Sequence, residues 1–273
     1  MPSKRTLTRQ EARYLCDAYY TIQEYRKRAA NQLRAATPEH EQPSEILTSF
    51  LREYERLERR MKTELGRFAR STEIGRWLLS ICGIGPVITA GLIAEIDIQK
   101  AVTAGHIWAF AGLAPGVEWN KHEKRPWNAR LKTLCYKIGE SLVKVSGNDK
   151  DVYGKVYRQR KALEIERNER GEFAEQASQK LAVTKIGKDT EAYKWYSQGK
   201  LPPAHLDMRA RRVAVKRFLA DLQTAWYWLE FHCLPPLPYP IAILEHAHYE
   251  LPSAFDNMPD LREALSKCGA RSV

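Results

Sequence analysis

Apolar positions recur at helical spacing through most of the chain. Leu15, Tyr19, Ile22, Ala29 and Leu33 share one face of a helix that opens on a capping box, Thr8 with Glu11, and runs to about Ala36. Pro38 and Pro43 break it. A second helix starts at Ser44 and places Ile46, Phe50, Tyr54, Leu57, Met61, Leu65 and Phe68 at spacings of 4, 4, 3, 4, 4 and 3. That eleven-residue cycle predicts a nearly straight helical seam. Residues 1–70 therefore read as an antiparallel, coiled-coil-like hairpin, an arm suited to packing or to homo-oligomer formation. Arg52, Arg56, Arg59, Arg60 and Lys62 leave it a basic face.

Further helices are predicted at Glu73–Ile81, Pro86–Ile96, Thr103–Phe110, Asn128–Val145 and Asp151–Arg170, with a helical stretch over Phe173–Tyr196 and a late helix from His205 to Phe231. No strand-like alternation stands out, so the fold class is mostly α. The expected organisation is a hairpin arm (1–70), a helical domain containing a helix-hairpin-helix (71–231) with a charged helical insertion near 171–203, and a Pro-rich extension (232–273). Trp77 to Ala94 runs eighteen residues without a charge, yet Gly83-Ile84-Gly85-Pro86 at its centre predicts two short buried helices, not a membrane span.

Charge changes this picture. The 273 residues carry 44 Lys and Arg against 33 Asp and Glu, a formal +11. The surplus is spread as +5 over 1–70, +3 over 71–150 and +5 over 151–230, with −2 in the remainder. A broad basic body makes a polyanion the first partner to consider. Cys16, Cys82, Cys135, Cys233 and Cys268 are odd in number and widely spaced, which reads as reduced thiols; with no apolar leader after Met1, a cytoplasmic protein is expected. No cofactor motif is present. His232, Cys233, His246 and His248 form too weak a spacing for a metal site. Asp149 and Asp151 read as a solvated helix start, and Glu164, Glu166, Glu169 and Glu172 as a surface charge pattern.

Two segments carry candidate chemistry. Gly83-Ile84-Gly85, between two short apolar helices and followed by Pro86, is the pattern of a helix-hairpin-helix, whose glycines admit a DNA backbone and whose second helix turns its first amides toward a phosphate. The loop from Glu118 to Lys132 interleaves Lys121, Lys124, Arg125, Arg130 and Lys132 with Trp119 and Trp127, ending on Asn128. Such a surface grips phosphates while indoles stack on bases. Arg209, Arg211 and Arg212, with Lys216 and Arg217, add a third basic cluster.

The order Cys82-Gly83-Ile84-Gly85-Pro86, then Gly91-Leu92-Ile93-Ala94-Glu95-Ile96, then Phe110-Ala111-Gly112-Leu113-Ala114-Pro115, then the basic loop and Asn128-Ala129-Arg130-Leu131, resembles the C-terminal transposase domain of DEDD-type insertion-sequence transposases, the group of bridge-RNA-guided recombinases and Piv-like invertases. The resemblance covers about residues 73 to 160, with 209–229 as a closing helix. It implies a RuvC-like domain bearing four metal-binding carboxylates, then a coiled coil, then this domain. About 72 residues precede the resemblance, room for the coiled coil and not for the RuvC fold. It also implies a catalytic serine just after the Ala-Gly-Leu-x-Pro motif, yet Gly116 to Arg125 holds no Ser, Thr, Tyr or Cys. The nearest hydroxyls, Thr133 and Ser141, lie on the next helix.

The expectation is thus a DNA-binding or DNA- and RNA-binding relative of these transposases without a complete catalytic site of its own. Two alternatives stay open: a recombinase that takes its carboxylates from a RuvC-like nuclease in trans or uses Ser141 or Thr133 instead, and a helical protein-interaction scaffold.

Overall fold

A computed structural model describes residues 5–35, 45–117, 119–120, 122–236 and 253–269. All regular structure among them is helical: α1 (Arg9–Ala35), α2 (Glu45–Arg70), α3 (Glu73–Ser80), α4 (Pro86–Glu95), α5 (Ala104–Phe110), α6 (Ala129–Lys144), α7 (Tyr153–Glu169), α8 (Ala174–Val183), α9 (Glu191–Ser197), α10 (Pro203–Phe231) and α11 (Pro259–Gly269), with single turns at Ile98–Lys100 and Ser253–Phe255. No described helix is long and apolar enough to cross a membrane.

The capping box forms as its residues dictate. Thr8 donates to the Glu11 carboxylate through its amide (2.7 Å) and hydroxyl (2.9 Å), and the hydroxyl accepts from the Glu11 amide (3.2 Å). Those donors, the Thr8 amide first, hold the Glu11 carboxyl down at about 2. Helices α1 and α2 run antiparallel, since Tyr19 meets Glu58 while Tyr25, further along α1, meets Tyr54, earlier on α2. The apolar seam of α2 is covered only in part. Leu65 and Phe68 are buried, whereas Ile46, Phe50 and Leu57 are exposed.

Helix α4 is the hub. Eight of its ten residues are buried, and it packs against α1, α2, α3 and α6. A helix that is apolar all round, with only Thr89 and a terminal Glu95 as exceptions, lies inside a bundle. Its C-terminal carbonyls at Ala94 and Ile96 accept from Arg13 Nε (2.8 Å) and from Arg9. Two cations from the arm thereby sit at the negative end of the α4 dipole. Helix α10 closes the other side against α7, α6, α5 and α3.

Several expectations change. The stretch Phe173–Tyr196 is two helices, because α8 ends at Val183 and Thr190 starts a new cap by accepting from the Tyr193 amide (3.2 Å). Around them Phe173, Ala177, Tyr196, Leu201 and Leu206 form a small core separate from the main one. Asp151 is not solvated. It is buried and accepts from the Gly154 amide at 2.7 Å, with Arg158 at 3.7 Å. Glu164 is not part of a surface pattern either: it is fully buried between Arg160 (2.5 Å) and Arg209 (2.7 Å). Asp221 is a further buried carboxylate, bonded by the Tyr153 hydroxyl (3.0 Å) and Arg217 Nε (3.3 Å). Burial pushes its carboxyl up to about 6 despite both donors. Of the C-terminal extension, residues 253–269 wrap back onto the main core. Phe255 stacks on Trp77 (6.2 Å), and the Trp77 indole donates to the Ala254 carbonyl (2.8 Å).

Candidate nucleic-acid interface

The glycine turn joins α3 to α4. Gly83 adopts φ +89°, and a Cβ there would stand 2.9 Å from a Val145 methyl, so both conformation and the end of α6 demand glycine. Ile84 is buried and anchors the turn, while Ser141 Oγ donates to the Gly83 carbonyl (2.5 Å). Gly85 caps α4 without a side chain and Pro86 follows it, which leaves the first-turn amides without intrahelical acceptors. Beside the turn opens a groove of about 750 Å³, lined among others by Arg26, Lys27, Lys62, Lys137 and Lys144. Much of this charge is balanced. Arg26 pairs with Glu58 (2.5 Å), Lys27 with Glu24 (2.9 Å) and Lys137 with Glu140 (3.4 Å).

The basic loop lies on the opposite flank of α6. Gly112, at φ +65°, lets the Trp127 ring close over it, since a Cβ would come within 2.8 Å of that indole. The loop returns where the Asn128 amide donates to the Phe110 carbonyl (2.8 Å). Trp119 meets Trp127 edge-on (6.1 Å) with Arg125 5.3 Å from the Trp119 ring centre. Between the Gly112–Pro115 turn, α6 and α10 lies a cavity of about 440 Å³ with Lys132, Arg211, Arg212 and Lys216 around it. Here carboxylates are scarce: Arg211 pairs with Asp207 (2.6 Å), but Lys132 and Lys216 rest over indoles, at 3.7 Å from Trp127 and 4.2 Å from Trp108. Burial and then the cations Arg125 and Arg212 pull the Lys132 ammonium below its ordinary pKa. Burial and then Arg212 do the same for Lys216. Cations held together without a balancing carboxylate favour an anion among them.

Residues 75–153 match the Transposase IS116/IS110/IS902 family. No curated protein and no solved structure matches the chain. The transposase-like segment thus runs from α3 to the start of α7 and includes the glycine turn, the Ala-Gly-Leu-Ala-Pro turn, the loop and α6. Helix α10 lies outside the matched segment yet supplies one wall of its cavity.

Within the transposase-like segment, α6 separates the expected site residues into two sets. Gly83, Ile84 and Gly85 face the groove, while Lys132, Arg211 and Arg212 frame the cavity, with Trp119, Arg125 and Trp127 in the adjoining loop. Lys124 is exposed on that loop, and Lys121 falls outside the described residues. Three expected residues are engaged elsewhere. Asn128 caps α6 by accepting from the Leu131 amide (2.9 Å) and donates to buried Glu95 (2.8 Å), and Arg130 pairs with Asp17 of the arm (2.9 Å). Arg209 turns inward to Glu164 and Gln176, its guanidinium 4.6 Å from the Phe173 ring. Lys216 was expected only as a neighbour of the arginine cluster, and Tyr136 and Trp108 were not expected at all. For Lys216 a signal was present, since it follows Arg212 by four residues and shares its helical face.

The two hydroxyls considered as nucleophiles both bond the backbone, Ser141 at Gly83 and Thr133 at the Ala129 carbonyl (3.0 Å). Among the described residues no three His, Cys, Asp or Glu side chains gather as a metal site; His246 and His248 lie outside those residues.

Proposed function

We propose that the protein is a DNA-binding relative of the insertion-sequence transposases, gripping the phosphate backbone at the cavity between the Gly112–Pro115 turn and α10. The observation that carries this reading is the unbalanced charge of Lys132, Arg212 and Lys216. None of the three has a carboxylate partner among the described residues, and two are held over indoles. A scaffold that binds only protein has no need to gather three cations around one cavity without a carboxylate to balance them. The glycine turn and the amides of α4 offer a second stretch of contact across α6, with Lys62 and Lys144 as its cations free of carboxylate partners among the described residues. Contacts of both kinds position a duplex without reading its sequence.

Replacing Lys132, Arg212 and Lys216 with Gln tests this in a titration of labelled duplex DNA at several salt concentrations. The log-log salt slope should fall by about 0.9 for each phosphate contact removed. An unchanged slope would place the contact elsewhere, and absence of wild-type binding at low salt would favour the protein scaffold.

The uncovered half of the α2 seam supports self-association of the arm. Ile46, Phe50 and Leu57 continue the line on which Leu65 and Phe68 are buried, and a second copy offers the same line. Phe50→Glu should convert a dimer to a monomer in sedimentation velocity; a monomeric wild type would dismiss the arm as an oligomer contact.

A further inference from the structure

The cavity beside the Gly112–Pro115 turn is more than a phosphate clamp. Its cations line a space of about 440 Å³ whose walls are otherwise apolar: Leu113, Ala114, Cys135, Met208 and Val215, with the half-exposed ring of Tyr136. A site for phosphate alone would be lined by donors, and a protein-binding patch would not be ringed by unpaired lysine and arginine. An aromatic wall, a thioether and aliphatic faces suit a flat ring system, whereas the rim suits the anions on either side of it. A nucleotide lifted out of its stack has this combination, an apolar face between two phosphates. Lys132 on α6 and Arg212 with Lys216 on α10 lie on different helices, so the phosphates before and after one base can be held separately.

We propose that this cavity receives a single unpaired nucleobase, stacked on Tyr136, with its flanking phosphates on Lys132, Arg212 and Lys216. The inference rests on the DNA-binding reading and narrows it from a duplex backbone to an unpaired nucleotide. Duplexes carrying a one-nucleotide bulge test it, compared with the same bulge lacking its base and with the fully matched duplex. The set is made once in DNA and once in RNA to distinguish the sources. With the full chain, the base-containing bulge should bind roughly 5- to 100-fold more tightly than the abasic bulge, the range that one base–aromatic stack supplies. Tyr136→Ala should bring that ratio down to about one. So should Ala114→Trp, which fills the space, and circular dichroism melts check that both variants fold. Equal binding of basic and abasic bulges, alongside tight binding of duplex, would overturn the cavity's role and leave the DNA-binding reading standing. No binding to any probe would overturn both. A ratio that survives Tyr136→Ala and Ala114→Trp would put the base elsewhere.

Discussion

Helix α10 carries five cations within nine residues; Arg211 pairs with Asp207 on the same helix, and the other four are treated in opposite ways by its two sides. On the inner side Arg209 reaches buried Glu164 at 2.7 Å and Arg217 reaches buried Asp221 at 3.3 Å. On the cavity side Arg212 and Lys216 meet no carboxylate among the described residues, and Lys216 lies instead over Trp108. The residue types are the same, and the neighbours decide the outcome. A cation beside a buried carboxylate is spent on holding the fold, whereas one pressed against an indole and other cations keeps its field for a ligand. Charge density along a sequence therefore says less about a binding surface than does the supply of acids around it.

That contrast can be broken in order of effect. Glu164→Ala removes the acid shared by Arg160 and Arg209 and should cost about 3–5 kcal/mol of stability in denaturant unfolding, leaving the salt slope of DNA binding unchanged. A variant of normal stability would mean that the inner side is not structural. Asp221 gives a pH signature. Its folded carboxyl titrates at about 6 against an ordinary 3.8, so its ionisation opposes folding. That penalty is absent below the unfolded value, grows between the two and is complete above about 6. Wild-type stability relative to Asp221→Asn should fall by about 2.5 kcal/mol from pH 4 to pH 7, and a pH-independent difference would refute the assignment. On the cavity side the triple Gln variant at 132, 212 and 216 should melt like wild type but bind duplex about a hundredfold more weakly at physiological salt. If its melting temperature collapses instead, these cations belong with the inner set.

The smallest effect sharpens the rule at the other flank of α6. Glu140 balances Lys137 in the groove beside the glycine turn. Glu140→Gln should free that cation and raise duplex affinity by a few-fold with a steeper salt slope. Weaker binding would show that the groove takes no part.

Much of the fold was legible because local rules sufficed. Thr8 with Glu11 marks the start of α1, Pro86 fixes the first turn of α4, and the apolar period of α2 gives the length of the arm. What was not legible depends on partners far apart in sequence. Glu164 with Arg160 reads as an exposed i,i+4 pair until Arg209, forty-five positions on, arrives from α10. The candidate site was partly visible for the same reason. The Ala-Gly-Leu-Ala-Pro turn and the basic loop announce themselves, but nothing local says that α6 will part them from the glycine turn or that Tyr136 and α10 will wall the cavity. The single stretch expected over Phe173–Tyr196 divides because Gly187 interrupts it and Thr190 caps a new helix.

The clasp of residues 253–269 on Trp77 also sets a timetable. As the chain leaves the ribosome, α3 and α4 are complete long before Ala254 and Phe255 exist to meet the Trp77 indole N–H and ring face. The nascent domain must therefore wait, with an aromatic surface bare, through the synthesis of more than half of its length. Its last step is a docking event, and a chaperone that shelters Trp77 during that interval would act before the fold can close.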